Sequence, residues 1–203
     1  MTVRTGIAGL VLFVVLFSTS QADAQVPWDS PLMVGPGSPG GVSVLLTDPG
    51  AGIGAFVHWQ GQGSHLGYRL GLAEEGGADN KLAIFGGLDI SGRVLDHSND
   101  FPLDLIWVAG IGGGFGSDVL LSFPFGVSMG RVLNTEEVWF HPYLTPRLIV
   151  DAFFGDSRRD DLELGLALDL GADFAFSSNW TFRFGASVGD REGLAFGLAL
   201  PIG

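Results

Sequence analysis

Three of the four histidines, His58, His65 and His141, fall among serines and acids in a chain that has no cysteine. With Ser64 or Ser122 as nucleophile and Asp104 as orienting acid, a histidine could activate a hydroxyl for acyl transfer or hydrolysis. The spacing does not support it: no nucleophile-elbow sequence surrounds either serine. Nor does any histidine pair stand two apart on one strand, as a shared metal would need. The pattern therefore gives no catalytic set, no metal site and no cofactor.

A second group is ionic. Arg69, Lys81, Asp89, Asp104, Arg147, Glu163, Asp169, Asp173 and Arg183 sit singly within otherwise uncharged stretches. A third group is backbone-active: Pro124, Pro142 and Pro146 lie in stretches that read as strands, where each removes a ladder donor. Residues an even number apart on one strand point their N–H groups toward the same neighbour, as positions 142 and 146 do. Pro142 and Pro146 therefore weaken one side of their strand. This side is expected to be either a local bulge that bends the strand or a lateral seam through which a lipid chain could enter.

The elements that must position these residues are strands. Large apolar residues recur at every second position in ten stretches: 42–46, 53–59, 66–72, 82–90, 103–111, 119–129, 138–148, 162–174, 180–188 and 194–202. Period two is the strand signature. None of these alternate positions is charged. The opposite face carries the three histidines and the nine ionic residues, interspersed with glycines such as Gly67, Gly71, Gly87, Gly110, Gly112, Gly171 and Gly185. Phe56, Phe85, Ile106 and Val108 are its apolar exceptions. Turn-forming runs join the stretches, among them Asp48-Pro49-Gly50, Gly61-Gln62-Gly63-Ser64, Gly112-Gly113-Gly114 and Ser177-Ser178-Asn179.

Volume decides which face is inside. A small barrel has a lumen that side chains just fill. The large apolar face is too bulky for it, whereas glycines and a few ionic groups fit. The reading is an all-β, antiparallel up-and-down transmembrane β-barrel of about 10 strands, apolar face outward. An 8-stranded barrel is the fallback if the short first stretch does not pair. Strands of ten residues rising ~3.3 Å each and tilted by ~40° give an apolar band of ~25 Å. Lumenal charges must then pair, because unpaired buried ions cost several kcal/mol.

Bulk composition agrees. Charged residues make up 16 % and glycine 33 positions, while the formal charge of -12 argues against nucleic acid. Residues 1–24 read as an export signal: Arg4, the apolar Ile7–Phe17, then Ala22-Asp23-Ala24 before a cleavage point. The apolar run is shorter than the ~20 residues of a spanning helix. Residues 25–40 (QVPWDSPLMVGPGSPG) read as a Pro/Gly-rich linker or periplasmic tail, with Trp28 against the barrel rim. Residues 41–203 form the barrel. With both termini periplasmic, the stretch 149–160 becomes an extracellular loop, and Trp59, Phe174, Phe176 and Trp180 share one edge as an interfacial belt.

Alternating strands, export signal and aromatic edge together resemble small outer-membrane barrel proteins of the OmpA-barrel and OmpX kind. The stretches Phe101-Pro102-Leu103-Asp104, Leu121-Ser122-Phe123-Pro124, Pro142-Tyr143-Leu144-Thr145-Pro146-Arg147 and Asp190-Arg191-Glu192 look like those of the "outer membrane protein beta-barrel" sequences. The resemblance covers about residues 41–203 and implies a fold and an outer-membrane location. One departure is that such proteins often end on Phe or Trp, whereas here the last aromatic is Phe196. The implied partners are outer-membrane lipid, lipopolysaccharide and, during biogenesis, the barrel-assembly machinery, with a monomeric barrel.

The function expected is non-enzymatic: a structural or surface-interaction barrel, its lumen closed by the charged network. A narrow pore for ions or small solutes is the alternative. A lipid-modifying or hydrolytic outer-membrane enzyme, acyl hydrolase or acyltransferase, built on His58 or His141, comes third.

Overall fold

The structure, a computed structural model, describes residues 26–49, 52–61, 66–75, 81–134, 138–155, 161–177 and 179–200. Among them are no helices, and ten long strands close into an antiparallel barrel. These are β1 (Gly41–Asp48), β2 (Gly54–Gln60), β3 (Leu66–Glu74), β4 (Leu82–Leu95), β5 (Asp104–Phe115), β6 (Val119–Gly130), β8 (Trp139–Phe154), β9 (Asp161–Ser177), β10 (Trp180–Gly189) and β11 (Gly193–Leu200). A two-residue β7 (Leu133–Asn134) only extends the β8 edge. Each long strand pairs with its sequence neighbours, β6 with β8 across β7, and β1 with β11 to complete the circle. The first stretch therefore pairs fully on both sides, and the barrel has ten strands rather than eight.

Alternation places the side chains as expected. Val44, Leu46, Val57, Leu70, Leu72, Ile84, Leu88, Leu164, Leu166, Phe196 and Leu198 point outward and are exposed. Between them Ser43, His58, Arg69, Asp89, Arg147, Asp169 and Arg183 point inward and are buried. Aromatics gather at the mouth where β1 begins and β11 ends, here the proximal mouth. Trp59 stacks on Tyr68 with ring centroids 4.8 Å apart, Phe140 on Phe174 at 4.8 Å, and Phe176 on Trp180 at 5.0 Å. The distal mouth carries the β5–β6 and β10–β11 hairpins. There the wall is uneven, because β8 has 16 residues and β9 has 17 while β2 has 7.

Two turn assignments change. Gly112-Gly113-Gly114 is strand, not turn: β5 continues to Phe115 and pairs with Phe85, Gly86 and Gly87 of β4. The connection expected at 149–160 is shorter, since β8 runs on to Phe154.

The largest departure lies N-terminal to the barrel. Residues 26–34 are fully buried, so the stretch read as a linker or tail fills the lumen. Val26 packs against Gly114 near the distal mouth, and Gly35 meets Tyr143 and Gly37 approaches Val132 near the proximal one. The segment thus runs the length of the barrel before turning into β1. Trp28 is not on the rim but deep in the lumen, lying over Gly87, Gly110 and Gly112. The inward apolar exceptions have their explanation here. Phe56, Phe85, Val108, Leu45 and Ala195 form one core with Val26, Trp28, Leu32, Met33 and Val34, and Ile106 packs against it.

Candidate functional site: the plugged, ion-paired lumen

The site is the lumen, built in tiers by strand register. Near the proximal end, Asp173 of β9 stands opposite both Arg183 of β10 and His141 of β8. Arg183 Nε donates to Asp173 Oδ1 at 2.9 Å, and its Nη2 donates to the Met33 carbonyl at 2.8 Å. Across the lumen, His58 Nε2 lies 3.6 Å from Asp89 Oδ2, longer than a hydrogen bond. Arg69, one strand over from His58, turns to the plug. Its Nη1 donates to the Pro31 carbonyl at 2.8 Å, its Nη2 to the Leu32 carbonyl, and its guanidinium lies 5.5 Å over the Trp28 ring.

The middle tier joins wall and plug through charge. Arg147 of β8 donates from Nε to Asp169 of β9 at 2.8 Å, and also to the Asp29 carboxylate and, at 2.7 Å, to its carbonyl. Ser187 donates to Asp169, whose other oxygen receives Leu32 N–H at 3.2 Å. At the distal mouth Arg191, from the β10–β11 hairpin, reaches back into the lumen. It meets Asp151 at 2.5 Å and Asp29 at 3.3 Å, while Ser122 donates to Asp151 at 2.6 Å. Burial opposes charge on Arg191, but Asp29 and Asp151 outweigh it and hold its pKa above the ordinary guanidinium value. Such multiply hydrogen-bonded pairs are the form in which buried ions are tolerated.

Glycine makes the room. A Cβ at Gly110 would fall 2.7 Å from the Trp28 ring, and one at Gly185 would fall 2.9 Å from Met33 and 3.0 Å from Pro31. The inward glycines are thus a trench shaped to the plug.

Six of the nine expected ionic residues, Arg69, Asp89, Arg147, Asp169, Asp173 and Arg183, are buried in the lumen. Three are not. Lys81 is exposed at the distal mouth, with Nζ 3.4 Å from Ser117 Oγ. Glu163 is exposed where β9 rises beyond the shorter strands. Asp104 lies on the proximal rim, accepting from His97 N–H at 2.7 Å and meeting His97 Nδ1 at 2.8 Å. The reason is common to all three: alternation fixes the side of the wall a residue faces, not its height. His58 and His141 are lumenal and buried, while His65 and Ser64 lie outside the described residues. Ser122 is held by Asp151 and Arg191 at the distal end, and Asp104 sits at the proximal rim, so the structure does not assemble them as a Ser-His-Asp set.

The prolines also divide. Pro142 and Pro146 face outward, but Pro124 faces the lumen and is buried. The β5–β6 ladder skips the Gly110–Pro124 and Ile111–Phe123 positions, and the β6–β8 ladder skips Val127–Pro146 and Ser128–Thr145. Register is unchanged across both gaps, so neither is a bulge. The ladder resumes in the same register, and the proline donors are lost.

Sequence reading missed Asp29, Asp151 and Arg191. Asp151 carries the signal in its parity with Arg147, four residues earlier on the same inward face. Asp29 and Arg191 lie outside any alternating stretch and have none. No family model, curated protein or solved structure matches this chain.

Proposed function

We propose that this chain is an integral outer-membrane barrel with a closed lumen, serving a non-enzymatic structural or surface-interaction role. One observation carries the reading: an exposed apolar face runs around the circumference while the ionic side chains face inward. In water that arrangement would expose an apolar surface far beyond the few hundred Å² that soluble monomers carry. In lipid it is the required one, because a closed barrel leaves no strand edge unpaired. The aromatic cluster at the mouth holding the barrel's termini fits a membrane interface. That mouth is then periplasmic, and the distal hairpins face the lipopolysaccharide and any surface partner. Residues 1–24 supply the export signal, and the assembly machinery inserts a monomer.

The test is reconstitution. The processed chain should co-float with phospholipid vesicles and migrate faster on unheated than on heated SDS gels. A monomer freely soluble without amphiphile would overturn the proposal.

A further inference from the structure

We infer that the barrel is an ion channel held shut by residues 26–40, a plug that can leave the lumen while the wall stays intact. The inference rests on the membrane reading above and goes beyond it. Three features carry it.

Three of the wall's arginines do not need the plug for their charge, whereas Arg69 donates to plug carbonyls. Arg147 pairs with Asp169 at 2.8 Å, Arg183 with Asp173 at 2.9 Å and Arg191 with Asp151 at 2.5 Å, each between wall residues. The plug adds one charge, Asp29, inserted between Arg147 and Arg191. Nor does the plug belong to the sheet. Residues 26–40 contain no strand, and β1 closes on β11 along seven registered positions from Val42 to Asp48.

The plug's footprint on the wall is continuous. Its contacts run from Gly114 at the distal end, through Gly110, Gly112 and Gly185, to Asp173 at the proximal end, where Ser38 Oγ donates at 3.0 Å. Withdrawal would leave a trench floored by glycine, lined in part by Phe56, Phe85 and Val108 and flanked by Arg–Asp pairs of both signs, a path for small ions with little preference for charge. The plug joins the wall through glycine. Gly37 (φ +79°) and Gly41 (φ +134°) adopt angles open to glycine, one on each side of the turn into β1. Between them, Trp28, Leu32 and Met33 hold the plug by apolar burial, and the arginines hold it through its carbonyls and Asp29.

The experiment is single-channel recording of the full processed chain in planar bilayers, with folding and insertion checked by gel shift and vesicle flotation. Wild type should be silent with rare brief steps. Asp29→Ala removes the plug's only charge but leaves all three wall pairs, and should raise open probability at least tenfold. Ser30 Oγ lies 2.6 Å from the position of a Cβ on Gly193. In this cysteine-free chain, Ser30→Cys with Gly193→Cys, added to Asp29→Ala, should therefore silence the steps when oxidised and restore them on reduction. If Asp29→Ala does not fold, Trp28→Ala replaces it, weakening the apolar hold with the wall pairs unchanged. An inserted, folded variant as quiet as wild type, or an oxidised variant that still conducts, overturns the plug. A chain that never floats with vesicles overturns the membrane reading, and this one with it.

Discussion

Arg147 is the residue on which wall and plug both depend. It is fully buried and bonded to Asp169 and Asp29 at once. Removing one partner from a buried pair leaves an uncompensated charge, which costs about 3–5 kcal/mol. Arg147→Ala should lower the unfolding free energy by that order in denaturant titration of the reconstituted barrel. Arg93→Ala, which breaks an exposed pair with Asp96 at 3.0 Å, should leave the titration unchanged. Equal effects would show that burial does not govern these pairs. The glycines act at the same scale. Gly110→Val places a branched side chain where Trp28 now lies, so the indole must leave its trench. In a chain whose other four tryptophans are replaced by Phe, the Trp28 emission should shift to the red. An unshifted spectrum would place the indole elsewhere.

Strands were legible because period two is a local signal, and the ten alternating stretches became the ten long strands. Height along the barrel was not legible, which is why Glu163 and Lys81 fell outside the lumen despite their parity. The plug was hidden for a different reason. Its Pro, Gly and Ser residues carry no periodicity, and its cavity exists only once glycines from β4, β5 and β10, such as Gly87, Gly112 and Gly185, far apart along the chain, are brought together. The proline reading was legible in part. The loss of donors follows from residue type, while the unchanged register follows from the fold. Here magnitudes choose the measurement. Pro146→Val would restore one ladder bond, worth about 0.5–1.5 kcal/mol, but would also loosen the unfolded chain by about 0.4–1 kcal/mol. The two nearly cancel, so global stability should hardly move. Hydrogen exchange should report the change instead, slowing at Val127 opposite the substitution and remaining constant in β10. Unaltered exchange at Val127 would show that the gap in the β6–β8 ladder does not come from the missing proline donor.

For the molecule as a whole, one question separates a barrel in lipid from a barrel in water, and the outward face can be made to answer it. Leu70 sits at the centre of β3 and is 65 % exposed, while Leu162 sits at the distal start of β9 and is 70 % exposed. In water the two positions are equivalent, since surface substitutions away from special features usually stay within about 0.5 kcal/mol. In a bilayer they differ by depth: arginine on the lipid face costs about 2–4 kcal/mol at the midplane and falls to about 0–1 kcal/mol near the interface. Leu70→Arg should therefore destabilise the vesicle-embedded barrel by several-fold more than Leu162→Arg, read from paired denaturant titrations. The lumen is the internal control, because neither position touches it and its ion pairs should hold in both variants. Equal and small effects at the two heights would mean that no hydrocarbon layer surrounds β3.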